Sequence, residues 1–224
     1  MPRACAKARS LVRGKRAFVR AWGCGGFVDS EIRQGRCLMV AVKDSTELDE
    51  MFDLIEAMNV PQGYRAEIIE GEIVLNPQRE THSTIIRMLT RSLEDARGMD
   101  YPGILWDVRV DFPGCLNGFA PDVALVREGA RKNEKDLYRY QDLDLVAEVV
   151  SRSSRRDDFG AKLKTYAVAG VPTYLIADPK TGLVHVYHAP GDDEYTDETT
   201  YTFKSKFTLP YPEIPIDTSL WPRD

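Results

Sequence analysis

Glu148 is the residue hardest to read as ordinary. It sits inside Leu145-Val-Ala-Glu-Val-Val150, the most apolar strand-like run of the chain. An unpaired carboxylate there would cost several kcal/mol or stay protonated, so a cation or a lysine must compensate it. Asp122 opens a second apolar run directly after Pro121, a residue suited to the first position of a strand. Lys162 lies on the helix that follows the Glu148 strand. Singly, each has a plain reading: a solvated strand-end acid, a buried ion pair without chemistry, a lysine lying along apolar surface. Together, an Asp, a Glu and a Lys on successive strand, strand and helix suit a hydrolase that uses a divalent metal. Two carboxylates hold a hard cation through oxygen, and the lysine supports attacking water or developing charge.

Other side chains are weaker candidates. Arg152, Arg155 and Arg156 follow Glu148 closely and read either as phosphate contacts or as a solvated loop. Glu70 reads as a turn acid, and His82 as a surface residue near the start of a helix. His185 and His188 lack partner ligands for a metal site. No G-x-S-x-G elbow and no G-x-x-x-x-G-K loop is present.

The elements that must position these groups are legible as periodicity. Asp44-Ser-Thr-Glu47 is a helix-start signature, followed by Leu48, Met51, Phe52, Ile55 and Met58 at helical spacing. Two strands flank Glu70-Gly71, a tight-turn signal. A second helix is predicted over 81–96, with Ile85, Ile86, Met88, Leu89 and Leu93 as its stripe. One alternating strand is predicted over 104–112 and others at 122–126, 143–150, 173–177 and 183–188. A helix over 157–169 has Phe159, Leu163, Tyr166 and Ala167 as its apolar face, with Lys162 at the border. One further strand falls near 200–208. Interleaved strands and helices predict an α/β fold, a mixed sheet flanked by helices, as one domain over 44–224. At 224 residues the chain is long enough for one such domain and short for two.

Charge is unevenly spread. Residues 1–38 hold nine Lys or Arg against two acids, +7, which leaves −12 on the remainder of a chain with net charge −5. An acidic body excludes polyanion binding over its whole surface, so nucleic acid must be met by a local basic patch or a bridging cation. Residues 1–43 read as a basic, disordered extension, a translated leader upstream of a start at Met39, or a DNA-binding arm. Lys and Arg interrupt it too often for a signal peptide. Cys5, Cys24, Cys37 and Cys115 form no C-x-x-C pair and read as reduced thiols of a cytoplasmic protein. No apolar run is long enough to span a membrane.

Four motifs in order carry a resemblance: Gly118-Phe-Ala-Pro-Asp122-Val-Ala-Leu-Val126, Leu145-Val-Ala-Glu148-Val-Val-Ser151, Asp158-Phe-Gly-Ala-Lys162-Leu-Lys-Thr-Tyr166 and Gly170-Val-Pro-Thr-Tyr-Leu-Ile-Ala-Asp-Pro179. With Arg65-Ala-Glu67-Ile-Ile-Glu70-Gly-Glu-Ile-Val74 before them, the chain resembles the bacterial Uma-type restriction-endonuclease family of the PD-(D/E)xK nuclease superfamily, over about residues 60–190. The resemblance implies a restriction-endonuclease-like core. It makes Asp122 and Glu148 ligands of Mg²⁺ (or Mn²⁺), joined by the Val149 carbonyl. It makes Lys162 the catalytic lysine, Glu67 a further acid of the site, and DNA phosphodiester hydrolysis the reaction. Homodimers follow by analogy with nucleases that cut both strands.

Two positions depart from the pattern. The superfamily wants Lys two residues after the acid, where this chain has Val150; Lys162 matches the family's displaced lysine. Thr173 stands where the family tends to have an acid. The competing readings are a nuclease-fold protein that binds DNA or regulates without cutting, and a hydrolase of a non-nucleic phosphodiester.

Overall fold

The computed structural model describes residues 46–114 and 116–224. The basic extension, the Asp44 cap and all four cysteines lie outside the described residues.

The first helix, α1, covers residues 46–57 and buries Leu48. A hairpin follows, β1 (Tyr64–Ile69) against β2 (Glu72–Pro77). Glu70 and Gly71 both take left-handed backbone, with φ of 50° and 78°, as a two-residue type I′ turn requires. Helix α2 (Glu80–Arg97) buries Ile85, Leu89 and Leu93, the stripe its 3.6-residue period sets out.

The predicted strand over 104–112 is two strands. β3 (Ile104–Leu105) pairs with β6 (Val123–Val126), whereas β4 (Val110–Phe112) pairs with β5 (Asn117–Phe119). Asp107 breaks the run with φ 52°, in the left-handed region. Two sheets result. The smaller has order β2-β1-β5-β4. The larger runs β10-β9-β8-β7-β6-β3, built from β7 (Leu143–Val149), β8 (Thr173–Asp178), β9 (Leu183–Pro190) and β10 (Tyr195–Thr202). Among the described residues only β7 and β8 pair in parallel. The chain passes between the sheets at 106–109 and again at 120–122. These two crossings are tied together where the Asp107 N–H donates to the Pro121 carbonyl at 3.0 Å.

All seven residues of β7 are buried, as expected of a strand covered on both faces. Leu145, Ala147 and Val149 face α2 and the C-terminal Phe203, Phe207, Ile216 and Trp221. Val146 and Val150 face Phe112 and Phe119 of the smaller sheet and Tyr166. Glu148 shares that second face by strand alternation.

The predicted 157–169 helix is also interrupted. α3 (Arg155–Asp158) and α4 (Ala161–Val168) meet at Phe159-Gly160. A Cβ on Gly160 would lie 2.5 Å from the Arg156 carbonyl, so the close approach requires glycine. The single strand expected near 200–208 is instead β10, β11 (Lys206–Thr208) and β12 (Pro215–Asp217). A turn with Lys204 at φ 66° separates the first two. β10 is an exposed edge of polar residues, so it carries no apolar alternation to read.

Candidate active site

Asp122, Glu148, Lys162 and Glu67 come together in the seam between the two sheets. Their side chains are 1%, 1%, 0% and 0% exposed. Register places Asp122 one step before the Val123–Ala147 pair, beside Glu148 on the neighbouring strand. The Asp122 N–H reaches Glu148 Oε2 at 3.3 Å. Lys162 Nζ donates to Glu148 Oε1 at 2.8 Å and to Glu67 Oε2 at 2.9 Å. Glu67 Oε1 accepts the Ala120 N–H at 3.0 Å.

Lys162 therefore does not border an apolar face. It lies on the buried face of α4 with Thr165, Tyr166 and Ala167, and Phe159 and Leu163 are only half-buried. Burial alone would lower its pKa, but Glu148 and Glu67 outweigh that and hold it far above the usual lysine range. Glu148 is pushed up to about 7 by burial and by the crowding charges of Asp122 and Glu67, against the pull of Lys162. Burial also works against Asp122, yet the Arg65 guanidinium, His82 and the Val149 N–H hold its carboxyl well below the usual range. In Glu67 burial is outweighed by Lys162 and Arg65, and its pKa falls.

His82 is not at the surface. It is buried in the first turn of α2, and its Nε2 donates to Asp122 Oδ1 at 2.9 Å. The sequence reading also missed Arg65, Asp158 and Tyr166. Arg65 Nη1 donates to Asp122 Oδ1 and, at 2.7 Å, to Asp107. Its Nη2 stands 3.6 Å from Glu67 and 3.5 Å from Glu148. Tyr166 donates its hydroxyl to Glu148 Oε1 at 2.9 Å. Asp158, buried, lies 3.8 Å from Lys162, and burial lifts its pKa well above the usual range. A signal for two of them was present: Asp158, Lys162 and Tyr166 recur every four residues, which aligns them on one helical face. Arg65 and Glu67 likewise alternate onto one face of β1.

Val149 joins the cluster through its N–H, which donates to Asp122 Oδ2 at 2.7 Å. The remaining candidates lie outside it. Arg155 pairs with buried Asp178 and stacks 5.0 Å over Phe159. Arg152 and Arg156 are exposed. Glu70 is the turn residue, with its N–H on Asn117. His185 pairs with Glu198, while His188, three positions on, falls on the opposite face of the strand.

The donor set suits a divalent cation in its chemistry: Asp122 and Glu148 offer hard oxygens side by side. The buried cluster also holds two permanent cations, Arg65 and Lys162. Among the described residues no three His, Cys, Asp or Glu side chains are spaced to hold a metal together. The guanidinium of Arg65 stands among the carboxylates that would do so.

A search of curated proteins finds no match. Among solved structures the chain is similar to a "putative nuclease belonging to DUF820" from Anabaena variabilis ATCC 29413. The two are 17% identical, with a TM-score of 0.55, over 74% of this chain and 88% of that one. That likeness is one of fold, a mixed α/β architecture. The model of the family described as "Putative restriction endonuclease" matches residues 48–217, well over half of the chain, and the protein belongs to this Uma2 family.

Proposed function

We propose that the protein is a metal-dependent endonuclease that hydrolyses DNA phosphodiester bonds. The observation that carries the reading is the Lys162 ammonium, fully buried between Glu67 and Glu148, the same Glu148 that the Asp122 N–H reaches. Asp122, Glu148 and the Val149 carbonyl would hold Mg²⁺ or Mn²⁺, which supplies Lewis acidity toward a phosphodiester oxygen and a water activated for attack.

The protein's own groups divide the remaining work. Lys162 is held protonated by its two carboxylates, so it serves as a fixed positive charge for the developing phosphorane rather than as a base. Tyr166 and Lys162 both donate to Glu148 Oε1 and fix that carboxylate's orientation. His82 and the Val149 N–H do the same for Asp122. Arg152 and Arg156, exposed just beyond β7, would meet substrate phosphates, a local patch on an otherwise acidic body, with Arg156 held only by a 3.9 Å approach to Asp157. A homodimer would present two such centres, one for each strand; a single 25 kDa species in light scattering would exclude it.

The second reading is a nuclease-fold protein that binds DNA or regulates without cutting. Arg65 favours it, because its guanidinium already neutralises Asp122. Cleavage of supercoiled plasmid in Mg²⁺, Mn²⁺ or EDTA, with wild type beside Asp122→Ala and Lys162→Ala, separates the two. Metal-dependent cutting that both substitutions abolish supports the nuclease. No cutting by folded wild type in either metal turns the assignment to the binding protein.

A further inference from the structure

Arg65 is bound in an unusual way for a buried arginine. A structural Arg–carboxylate pair uses the guanidinium fork, two parallel N–H donors on two oxygens. Here one nitrogen, Nη1, is shared between Asp122 and Asp107. Nη2 reaches Glu67 and Glu148 only at 3.6 and 3.5 Å, beyond a good hydrogen bond. Nε, though buried, has no partner among the described residues. The charge of Arg65 is needed by the acids, but its donors are poorly used.

Asp107 is the outward partner. Its side chain is 44% exposed, it sits in the chain crossing between β3 and β4, and its second oxygen accepts from Gln78 Nε2 at 3.1 Å. The guanidinium can thus leave Asp122 without leaving every carboxylate. Leaving alone would take from buried Asp122 its arginine counter-charge, with only His82 and the Val149 N–H still bound to it. Leaving as another cation enters would not.

We propose that Arg65 is an exchangeable counter-ion: it occupies the Asp122–Glu148 pair until a divalent cation binds, and then yields by turning onto Asp107. This rests on the metal-dependent reading above. It makes metal affinity a competition between an ion in solution and a side chain of the same protein.

Mn²⁺ binding, followed by the electron paramagnetic resonance signal of free Mn²⁺, tests it without reference to cleavage. Wild type, Arg65→Met, Asp107→Asn and Asp122→Asn are compared, with circular dichroism as a check on folding. Removing an opposing unit charge a few ångströms from the site raises Mn²⁺ affinity in Arg65→Met by at least about tenfold. Asp107→Asn weakens it about two- to fivefold, because the displaced guanidinium loses its partner. That loss vanishes when Arg65 is already Met. Equal or weaker binding by folded Arg65→Met overturns the exchange while wild-type binding keeps the metal reading. Should Arg65→Met fail to fold, unchanged affinity in Asp107→Asn overturns it, and folding restored by Mn²⁺ supports it. Absence of Mn²⁺ binding in wild type and in every folded variant removes the metal reading itself.

Discussion

Lys162 and Glu148 form a salt bridge of 2.8 Å with neither side chain more than 1% exposed. Such a pair contributes little net stability, since desolvation offsets the attraction, but losing one partner strands the other. Lys162→Met is therefore expected to lower stability by about 3–5 kcal/mol in urea unfolding. Adding Glu148→Gln should recover part of that loss. A cost under about 1 kcal/mol in the single variant would contradict full burial of the pair.

Tyr166 offers a gentler change at the same carboxylate. Its ring is held by Phe112, Phe119 and Tyr174, at centroid distances of 5.0, 5.6 and 4.7 Å, so Tyr166→Phe keeps the packing. The variant loses one hydrogen bond to a charged acceptor, worth about 1.5–3 kcal/mol. Calorimetry should show a lower Tm with one cooperative transition retained. Broadening into two transitions would mean that the hydroxyl holds the two sheets together, a larger role than the geometry assigns.

Gly118 is the point where α1 meets the smaller sheet. A Cβ there would lie 2.4 Å from Phe52 Cε2 and 3.2 Å from Leu48 Cδ1. Gly118→Ala should cost about 1–3 kcal/mol through overpacking. It should also make residues 46–57 more readily cut than in wild type in limited proteolysis. If the digestion pattern matches wild type, Phe52 has swung aside and α1 is not clamped by this contact.

Acid sensitivity should have a separable component at Asp178. Burial would raise its pKa, but Arg155 and Thr181 outweigh that and set it below the ordinary aspartate value of 3.8. The folded state then holds fewer protons than the unfolded state near and below that value. The stabilisation is complete above pH 3.8 and is lost as pH falls through the folded pKa. Arg155→Gln should flatten the stability-versus-pH curve in that acid range and leave its slope unchanged above about pH 5. An unchanged acid limb would break the link to Arg155.

Much of this architecture can be read before any coordinate. The Ile85–Leu89–Leu93 stripe and the apolar run of β7 state their burial in their composition. Asp122, Glu148 and Lys162 are conspicuous because charge interrupts or adjoins those runs. What could not be read is membership and direction. Residues 104–112 alternate without saying that Ile104 and Val110 join different sheets. His82 and Arg65 have side chains normally found in water, and only the tertiary fold turns them inward. β10 pairs through its backbone along an edge, so its Thr and Asp side chains carry no pattern.

Lys162 and Glu67 stand 95 positions apart, and their meeting depends on the smaller sheet docking beside the larger one. Contacts of such long range form after local hairpins and helices, because closing the loop must be compensated by packing already in place. A chain still in synthesis, or one with both sheets formed but undocked, has no assembled centre. On the proposed function that would amount to a safeguard: the candidate centre arrives only with the finished fold, so misfolded copies would not cut.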